Sequence, residues 1–588
     1  MRLLRNLGSK GWADVSKEVR LQAFKLDQPR AIAVADIDGN GDADLVVTQL
    51  GGGPVVLRNE GGNQHDWMSI DLKALNDNKS GIGTKVELYA GMLYQKWEVA
   101  GATGYLGQSA APILAGLGSE HNAEVVRLLW PTGVPQDEIN LTTKKVQSIT
   151  ELDRRGSSCP VLFSWNGHEY EFIADMIGPG VVGHWVAPGE RDVPDPDEYL
   201  KVPARSVMAR NGLLSFRFME PMEETVYLDQ VRLLAIDHPA LYEVFPNERF
   251  VSAPPFPEFR VIASRDAHAP IGAWDDRGND VLPLISKRDR KYVTSFEALP
   301  FAGFAKLHWI ELDLGEWDRQ KPLRLIIDGY TDYFTATSMY AADQAGIKVI
   351  PPYVEALDAQ GKWTRVVEDL GFPAGLERTM VADLTGNLPA GTRRIRIVNN
   401  LKVYWDAIRI DQTPGAPDMR VAQVPLARAA LDFVGYPRET RLKPASDTIY
   451  SYSQRSMTGP YARAAGNYTR YGDVYGLLCA SDDRFVVFGS GEGLKLDFDP
   501  QQLPALPPGW VRDFFFYADG FEKDLDFYAA HAFTVEPLPR HSLLPYPYPK
   551  GRDYPADAEH LGYQLEYNTR SRSERMPPSL RYQYSSPH

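Results

Sequence analysis

Hydrophobic and polar residues alternate along much of this chain, and short glycine-containing turns separate the alternating runs. Val86–Tyr89 and Gln95–Val99 alternate, whereas Val125–Trp130 is almost continuously apolar. Alternation with a period of two indicates half-buried strands, and a short apolar run bounded by turns indicates a fully buried strand. Residues 66–155 are therefore predicted to form a small β-sandwich or barrel.

The same pattern continues beyond this segment with few helical features. Phe163–Ile173 contains two apolar runs about an Asn-Gly pair, the strongest short-range indication of a hairpin. Further strands are predicted at Leu213–Phe218 and Val226–Ile236. The proline-rich stretch Ala253–Pro257 is typical of a boundary, so we predict a β domain at residues 156–255.

Residues 256–412 are predicted to be another β-sandwich. Its strands are expected at Lys306–Leu314, Leu323–Ile327, Arg393–Val398 and Val403–Trp405. Regular strands separated by polar turns suggest a jelly roll that loosely resembles the galactose-binding type, which is an analogy at the level of the fold.

Four aromatic residues of this segment have two interpretations. They form a platform for a sugar, or they pack in the core and at its edge, as aromatic residues more often do. These residues are Tyr330, Tyr333, Tyr404 and Trp405.

Residues 413–588 form a mixed C-terminal region. We predict a helix at Val424–Phe433 near its start and, at its end, an irregular Pro/Tyr-rich tail that includes Leu544–Pro549. Proline lacks the backbone donor of a central strand, so such a tail is expected to be extended and to lie on a neighbouring surface or bind a partner.

The segment Asp36–Asp44 has an oxygen-bearing side chain at every second position and is bounded by two apolar runs. Calcium prefers several oxygen ligands at once, and glycines at positions 39 and 41 allow a tight loop. We therefore predict a calcium loop between two strands. Its ligands are expected to be Asp36, Asp38, Asn40, Asp42 and Asp44, with Asp42 binding through its backbone carbonyl.

The Leu-Arg-Asn sequence before this loop recurs after it, at Leu4–Asn6 and Leu57–Asn59. A repeat at this spacing is typical of solenoids and propellers, which need several units to bury a core. Residues 1–65 are therefore expected to be a partial propeller repeat, in a chain that is part of a longer product or that docks on other subunits.

Together with the calcium loop, this repeat resembles FG-GAP or integrin-alpha type propeller repeats. The following segment resembles the ASPIC/UnbV domain found after such repeats in cartilage acidic protein and in many secreted bacterial proteins. The matching motifs are Gly81–Val86, Gly104–Ser109, Gly116–Gly118 and Trp130–Gly133, with Ala115 where the pattern usually has Phe. The resemblance implies an exported or cell-surface protein, and these motifs indicate fold rather than chemistry.

Composition narrows the class of protein. A chain of 588 residues suggests roughly three to five domains. The formal net charge of −14 argues against nucleic-acid partners, which require basic patches.

No apolar run is long enough for a transmembrane helix, and no signal peptide is predicted at the start of the chain. Cys159 and Cys479 either pair in an oxidising compartment or remain reduced.

The densest group of candidate catalytic or metal-binding residues follows a histidine in the second β domain. Carboxylates near a histidine either hold a second cation, act as an acid and base, or belong to a solvated loop. The group comprises His184, Asp192, Asp195, Asp197 and Glu198. A further acidic segment, Asp519–Asp526, is more typical of a capped turn, and the motifs of the common enzyme classes are absent from the sequence.

The sequence as a whole predicts a mainly β protein: partial β-propeller blades, a small sandwich or barrel, jelly-roll-like sandwiches and an extended tail. Three functions remain open. The first is an extracytoplasmic calcium-binding scaffold or adhesion protein that recognises glycan or protein. The second is a structural subunit of an envelope or extracellular assembly, and the third is a carbohydrate-active enzyme that uses residues 184–198.

Overall fold

The computed structural model separates into two compact units. Within the described residues, the first unit contains residues up to 130 and 139–151, and the second contains 135–138 and those from 159 onward. The structure describes residues 1–74, 78–109, 112–130, 135–151, 159–415, 418–443, 447–457, 461, 463–526 and 528–572.

The strands of the N-terminal region are short, and glycine-rich turns connect them. Their bounds are β1 (Leu4–Asn6), β2 (Trp12–Asp14), β3 (Pro29–Ala35), β4 (Asp44–Gln49), β5 (Val55–Leu57), β6 (Asp66–Lys73), β7 (Lys85–Ala90), β8 (Leu93–Glu98), β9 (Ile113–Gly118), β10 (Asn122–Leu129), β11 (Pro135–Thr142) and β12 (Lys145–Thr150). Single 3-10 turns lie at Gly8–Lys10, Leu21–Ala23 and Gly62–Gln64.

These strands form several small sheets. Strands β3, β4 and β5 make an antiparallel sheet, and the Asp36–Asp44 segment joins β3 to β4. Two further sheets have the orders β11-β10-β7-β8 and β12-β6-β9, with β12 parallel to β6. Ile70, Leu88 and Leu128 are fully buried on these strands. The predicted strands at 86–89, 95–99 and 125–130 are confirmed, and no closed barrel is present among the described residues.

The second unit is also mainly β. Its strands are β13 (Val161–Trp165), β14 (Tyr170–Asp175), β15 (Trp185–Ala187), β16 (Glu190–Arg191), β17 (Asp197–Val202), β18 (Ala209–Arg210), β19 (Leu213–Met219), β20 (Thr225–Pro239), β21 (Glu243–Pro246), β22 (Val261–Ser264), β23 (Gly272–Asp275), β24 (Phe304–Asp313), β25 (Arg324–Thr331), β26 (Tyr353–Leu357), β27 (Trp363–Val367), β28 (Arg378–Asp383), β29 (Arg394–Leu401), β30 (Val403–Asp411), β31 (Arg420–Val424), β32 (Leu426–Phe433), β33 (Tyr436–Arg441), β34 (Thr448–Ser456), β35 (Gly466–Tyr468), β36 (Gly472–Asp473), β37 (Val486–Gly489), β38 (Glu492–Phe498), β39 (Trp510–Lys523) and β40 (Arg570–Arg572).

The helices of this unit are short. They are α1 (Leu282–Ile285), α2 (Ala336–Gln344) and α3 (Ala558–Tyr567), with 3-10 turns at Gly178–Gly180, Ala204–Ser206, Tyr475–Leu477 and Pro500–Gln502. In the part of the chain that the structure describes, no helix has the length and apolar character needed to cross a membrane.

One β-sandwich, which we call the main sandwich, combines strands from residues 161–239 with strands from residues 420–523. Its sheets have the orders β14-β13-β19-β38-β32-β36 and β17-β39-β20-β31. Phe216 of the first sheet lies against Phe516 of the second, with ring centroids 5.5 Å apart, in a core of fully buried side chains. The predicted segments 156–255 and 413–588 therefore contribute strands to the same sheets.

A second sandwich, which we call the inserted sandwich, uses the chain between these two parts. Its sheets have the orders β23-β24-β29-β26-β27 and β28-β25-β30. Leu325, Ile397 and Ile408 are fully buried between them. This arrangement has the two-layer form that regular strands and polar turns predicted for residues 256–412.

Three expectations for the second unit can be compared with observed elements. The predicted hairpin at 163–173 is confirmed by the antiparallel β13–β14 pair. The predicted helix at Val424–Phe433 is wrong: residues 420–424 and 426–433 are strands, because β31 pairs with β20 and β32 pairs with β38. The interpretation of Asp519–Asp526 as a turn is wrong as far as Lys523, where β39 ends.

The Pro/Tyr-rich tail lies on the main sandwich. Tyr546 is fully buried, and its hydroxyl donates to the Pro537 carbonyl over 2.9 Å, while Leu544 and Tyr548 pack against the same core. The final part of the predicted tail, residues 573–588, lies outside the described residues.

Candidate functional sites

The Asp36–Asp44 segment, which we call the aspartate loop, turns sharply between β3 and β4. Gly39 and Gly41 have φ angles of 74° and 94°, which side chains with a Cβ rarely adopt. A Cβ at Gly41 would also collide with the indole ring of Trp67, at 1.8 Å. Both glycines are therefore required for the tight turn.

The loop brings several of its predicted ligands together. One carboxylate oxygen each of Asp36, Asp38 and Asp44 lie within 4.8 Å of one another. Two oxygens that bind one calcium ion at about 2.4 Å are at most about 4.8 Å apart, so this spacing fits a shared ion. Asp42 is 2% exposed, and among the described residues neither of its carboxylate oxygens has a hydrogen-bond partner. The Asn40 side-chain oxygen instead accepts from the Asp42 backbone N–H over 2.9 Å.

Backbone donors and one arginine set the electrostatics of the loop. Asp44 accepts from the backbone N–H of Asn59 at 2.8 Å and of Ile37 at 3.0 Å, and these hydrogen bonds lower its pKa. Burial, followed by repulsion from Asp44, raises the pKa of Asp42. Arg58 forms an ion pair with Asp38, Nη2 to Oδ2 2.7 Å. The loop thus holds several carboxylates close together with one partly exposed counter-charge.

The five residues proposed from the 184–198 segment do not form one site. Instead their side chains lie in three different environments. Glu198 is buried, accepts from the Ile177 N–H over 2.6 Å and forms an ion pair with Arg378, which also binds Asp175. This carboxylate is therefore a structural partner of a buried arginine.

Asp195 and Asp197 lie beside a second group of charged residues. Burial, followed by repulsion from Asp197, raises the pKa of Asp195 to about 8. Asp197 is paired in register with Asp519 on β39, and His541 stands beside Asp519, Nε2 to Oδ1 2.7 Å.

His541 is the cation of this second group. Burial alone would lower the pKa of His541, but its hydrogen bonds to Asp483, Nδ1 to Oδ1 2.6 Å, and to Asp519 raise this pKa to about 10. The imidazolium therefore donates from both ring nitrogens and fixes the start of the Pro/Tyr-rich tail.

His184 and Asp192 line a cavity of about 510 Å³ in the second unit. Burial, with a smaller contribution from Arg191, lowers the pKa of His184 to about 4, so this imidazole is neutral near pH 7. Its Nε2 lies 3.1 Å from Met339 Sδ. Burial raises the pKa of Asp192 to about 7.

The cavity has an exposed rim and a buried floor. Ser252, Pro254 and Lys348 are exposed on the rim, whereas Cys159 and Asp332 are buried on the floor. Much of the remaining wall is apolar and aromatic, including Phe250, Phe304, Phe334 and Phe372. An apolar cavity with a few polar groups is the usual form of a site for a small ligand.

Among the predicted platform residues, Tyr333 lines this cavity. Tyr330 and Tyr404 stack with centroids 4.4 Å apart in a small buried cluster with Tyr292, and Trp405, which is 3% exposed, packs in the core of the inserted sandwich. The buried positions of these three platform residues correspond to core packing. The Tyr333 hydroxyl donates to Asp524 Oδ2 over 3.0 Å, below the cavity wall.

Sequence reasoning singled out Asp519–Asp526, which contains Glu522 and Asp524, but interpreted it as a turn and missed that these acids are buried beside the cavity floor. Glu224, Glu522 and Cys159 each place one ligand atom within 4.8 Å of the others. Neither cysteine forms a disulfide among the described residues: Cys159 is buried and Cys479 is exposed. The available indication was the position of Glu522 and Asp524 directly after the buried aromatic run of β39.

Comparison with known families identifies one segment. Residues 74–156 match the family model described as ASPIC and UnbV. This confirms the ASPIC/UnbV part of the predicted resemblance, and residues 75–77, 110–111, 131–134 and 152–156 of the match lie outside the described residues. No curated protein is significantly similar to the chain.

Proposed function

We propose that this chain is an extracytoplasmic, calcium-binding β scaffold that recognises a glycan or protein partner. The aspartate loop is the observation that carries the proposal. Three carboxylates there lie at a spacing that suits one ion, and the buried oxygens of Asp42 have no hydrogen-bond partner within the described part of the chain. Buried carboxylate oxygens without partners are costly unless a cation is bound.

Asp36, Asp38 and Asp44 would hold the ion directly, and Asp42 and Asn40 stand beside them in the loop. All of the available donors are oxygens, which suits calcium better than metals that prefer nitrogen or sulfur. The ion would neutralise the carboxylates and tie β3 to β4. Its role is structural, because these groups belong to the turn between two strands.

An FG-GAP type blade is the architecture that best accounts for this loop. The antiparallel β3–β4–β5 sheet carries the loop at one turn, the first copy of the Leu-Arg-Asn sequence forms β1, and the second begins at the last residue of β5. The ASPIC/UnbV segment follows it, in the order found in exported proteins of that kind. This order supports the extracytoplasmic location.

The cavity of the second unit supports recognition of a small glycan. Tyr333 and Phe334 offer aromatic surface, and Asp192, Asp343 and Lys348 offer polar groups that suit sugar hydroxyls. An enzyme has weaker support, because the residues that suggested one, such as His184 and Glu198, lie in separate environments.

Thermal unfolding in calcium and in chelator tests whether the aspartate loop binds calcium. Calcium at about 100 times its Kd should stabilise the folded loop by about 2.7 kcal/mol, so chelation should lower the Tm of the first unit. Asp36→Ala should remove most of this response, whereas Glu18→Ala, which removes an exposed acid outside the loop, should preserve it. Equal calcium responses in wild type and Asp36→Ala would refute the calcium loop.

Binding to a glycan array tests whether the cavity recognises a sugar. Binding should weaken with Tyr333→Ala but not with Tyr105→Ala, which removes an exposed tyrosine of the first unit. Binding that is unaffected by Tyr333→Ala would exclude the cavity as the glycan site.

A further inference from the structure

Four acidic side chains are buried together below the floor of the cavity. Glu220 and Glu224 lie on the segment between β19 and β20, whereas Glu522 and Asp524 lie at and just beyond the end of β39. Each is at most 1% exposed. We call these four residues the carboxylate cluster.

Strand pairing fixes the cluster in place. The Glu220 N–H donates to the Glu492 carbonyl over 3.0 Å, and the Val182 N–H donates to the Glu522 carbonyl over 2.8 Å. The Tyr333 hydroxyl holds Asp524 from the side of the cavity. The side chains therefore converge because the backbone of the main sandwich brings them together.

Two members of the cluster have carboxylate oxygens that no hydrogen bond satisfies. Among the described residues, neither oxygen of Glu522 nor the Oε2 atom of Glu220 has a partner. Glu220 Oε1 accepts from the Met222 N–H over 2.6 Å. An isolated buried carboxylate costs several kcal/mol, and a proton or a bound cation is needed to offset that cost.

The neighbouring cationic side chain does not meet this need. Lys523 follows Glu522 on β39, and consecutive side chains of a strand point to opposite faces. Its ammonium donates to the carbonyls of Thr534, Val535 and Pro537.

We propose that Glu224 and Glu522, together with the Cys159 thiolate, bind a divalent transition-metal cation of the Zn²⁺ class. The Cys159 sulfur and one oxygen each of Glu224 and Glu522 lie within 4.8 Å of one another. A donor set that mixes one sulfur with carboxylate oxygens suits zinc and its neighbours, whereas calcium does not take a thiolate ligand. This site lies in the second unit and does not depend on the calcium loop.

The cavity gives the ion a route to the site. Cys159 belongs both to the cavity floor and to the donor set, and the rim residues Ser252 and Lys348 are exposed. Three protein donors would leave a fourth position of the ion open. The site would thus contribute a Lewis acid to ligand binding.

Cobalt substitution of the reduced full-length chain tests this proposal. Equilibrium dialysis of the metal-free chain with Zn²⁺ should give one tightly bound equivalent, and the metal-free chain loaded with Co²⁺ instead should show a thiolate charge-transfer band in the near ultraviolet. Cys159→Ser should abolish this band, whereas Cys479→Ser, the matched control at the exposed cysteine, should leave it unchanged. Asp36→Ala should also leave it unchanged, which separates this site from the calcium loop.

Glu522→Gln tests the carboxylate ligands. The amide has nearly the same shape and no charge, so the variant should fold, which circular dichroism checks, and should bind Zn²⁺ at least about tenfold more weakly. Absence of the charge-transfer band, its survival in Cys159→Ser, or unchanged Zn²⁺ affinity in Glu522→Gln would each overturn the proposal. In that case the cluster holds protons in place of a metal.

Discussion

In the aspartate loop, the carboxylates are neighbours in sequence and are held mainly by backbone N–H groups a few residues away. In the second unit, buried carboxylates meet through strands from distant parts of the chain. Asp44 accepts from Ile37, seven residues earlier, whereas Glu198 pairs with Arg378, 180 residues later. The first arrangement is set by a local turn, and the second exists only once the sandwich has formed.

Because of this difference, the two groups of carboxylates should affect the stability of the protein to different extents. A local loop with partly exposed acids can gain an ion or lose one with little change elsewhere. Buried charges in a sandwich must be paired within the protein, because water no longer solvates them. Disturbing a partner in the second unit should therefore cost more than disturbing one in the loop.

Removal of Arg378 should have the largest effect. Arg378→Met leaves Asp175 and Glu198 buried without their cation, which typically costs about 3–5 kcal/mol. Denaturant unfolding followed by tryptophan fluorescence measures this loss. Arg365→Met is the control, because its ion pair with Glu368 is exposed and should be worth at most about 1 kcal/mol. Similar losses of unfolding free energy in Arg378→Met and Arg365→Met would show that the buried ion pair contributes no more than the exposed one.

Raising the pH should weaken the contact that His541 makes with the main sandwich. Its folded pKa, about 10, lies above its ordinary value of 6.5, so this stabilisation is complete below pH 6.5 and is lost as the pH rises to about 10. Other groups of the second unit titrate near this range, with pKa values of about 8 for Asp195 and Glu377 and about 7 for Asp229, so the contribution of His541 is the difference between wild type and a His541 variant.

The expected slope in that range is up to about 1.4 kcal/mol per pH unit. The free energy of unfolding, measured by denaturant titration at several pH values, should depend less on pH in His541→Gln. The control His168→Gln changes an exposed turn histidine and should keep the wild-type slope. A slope in His541→Gln equal to that of wild type would contradict the assignment.

Within the aspartate loop, Gly41→Ala should be more damaging than Gly39→Ala. Both require a left-handed backbone, which costs a residue with a Cβ roughly 1–2 kcal/mol. At Gly41 the new methyl group also meets the Trp67 ring, whereas nothing lies within 4 Å at Gly39. Overpacking of this kind adds about 1–3 kcal/mol. Calorimetric calcium titration and thermal unfolding of both variants check the order.

Loss of Arg58 should have the smallest effect on stability. Its ion pair with Asp38 is partly exposed, so Arg58→Ala should change the free energy of unfolding by at most about 1 kcal/mol. Calcium affinity should rise modestly, because the guanidinium no longer competes with the ion for Asp38. Titration calorimetry at low and high salt measures this change, and a lower affinity would show that Arg58 assists the ion instead.

The elements that were predicted from sequence are those whose pattern is local. The β13–β14 hairpin follows from its Asn-Gly turn, and the aspartate loop follows from alternate acids between apolar runs. The failure at Val424–Phe433 has the opposite cause. This alanine-rich run favours a helix by itself, but pairing of Leu426–Phe433 with β38 outweighs that preference.

The cavity and the carboxylate cluster could not be predicted because their residues come together only through tertiary structure. Glu220 and Glu522 are far apart in the chain, and each by itself resembles an ordinary surface acid. His184 and Glu198 show the reverse case: they are close in sequence, yet the strands between them direct the two side chains to different surroundings. Proximity in sequence is informative for a loop and misleading across a sandwich.

The inserted sandwich separates the two parts of the chain that form the main sandwich, and this separation affects folding during synthesis. Asp237 on β20 and Arg512 on β39 are paired neighbours that lie 275 residues apart in the chain. At about 5–20 residues per second, a ribosome makes the second strand roughly 15–55 s after the first. During that interval the apolar face of Thr225–Pro239 has no β39 to cover it, so we expect the nascent chain to bind a chaperone until the inserted sandwich and Trp510–Lys523 have emerged.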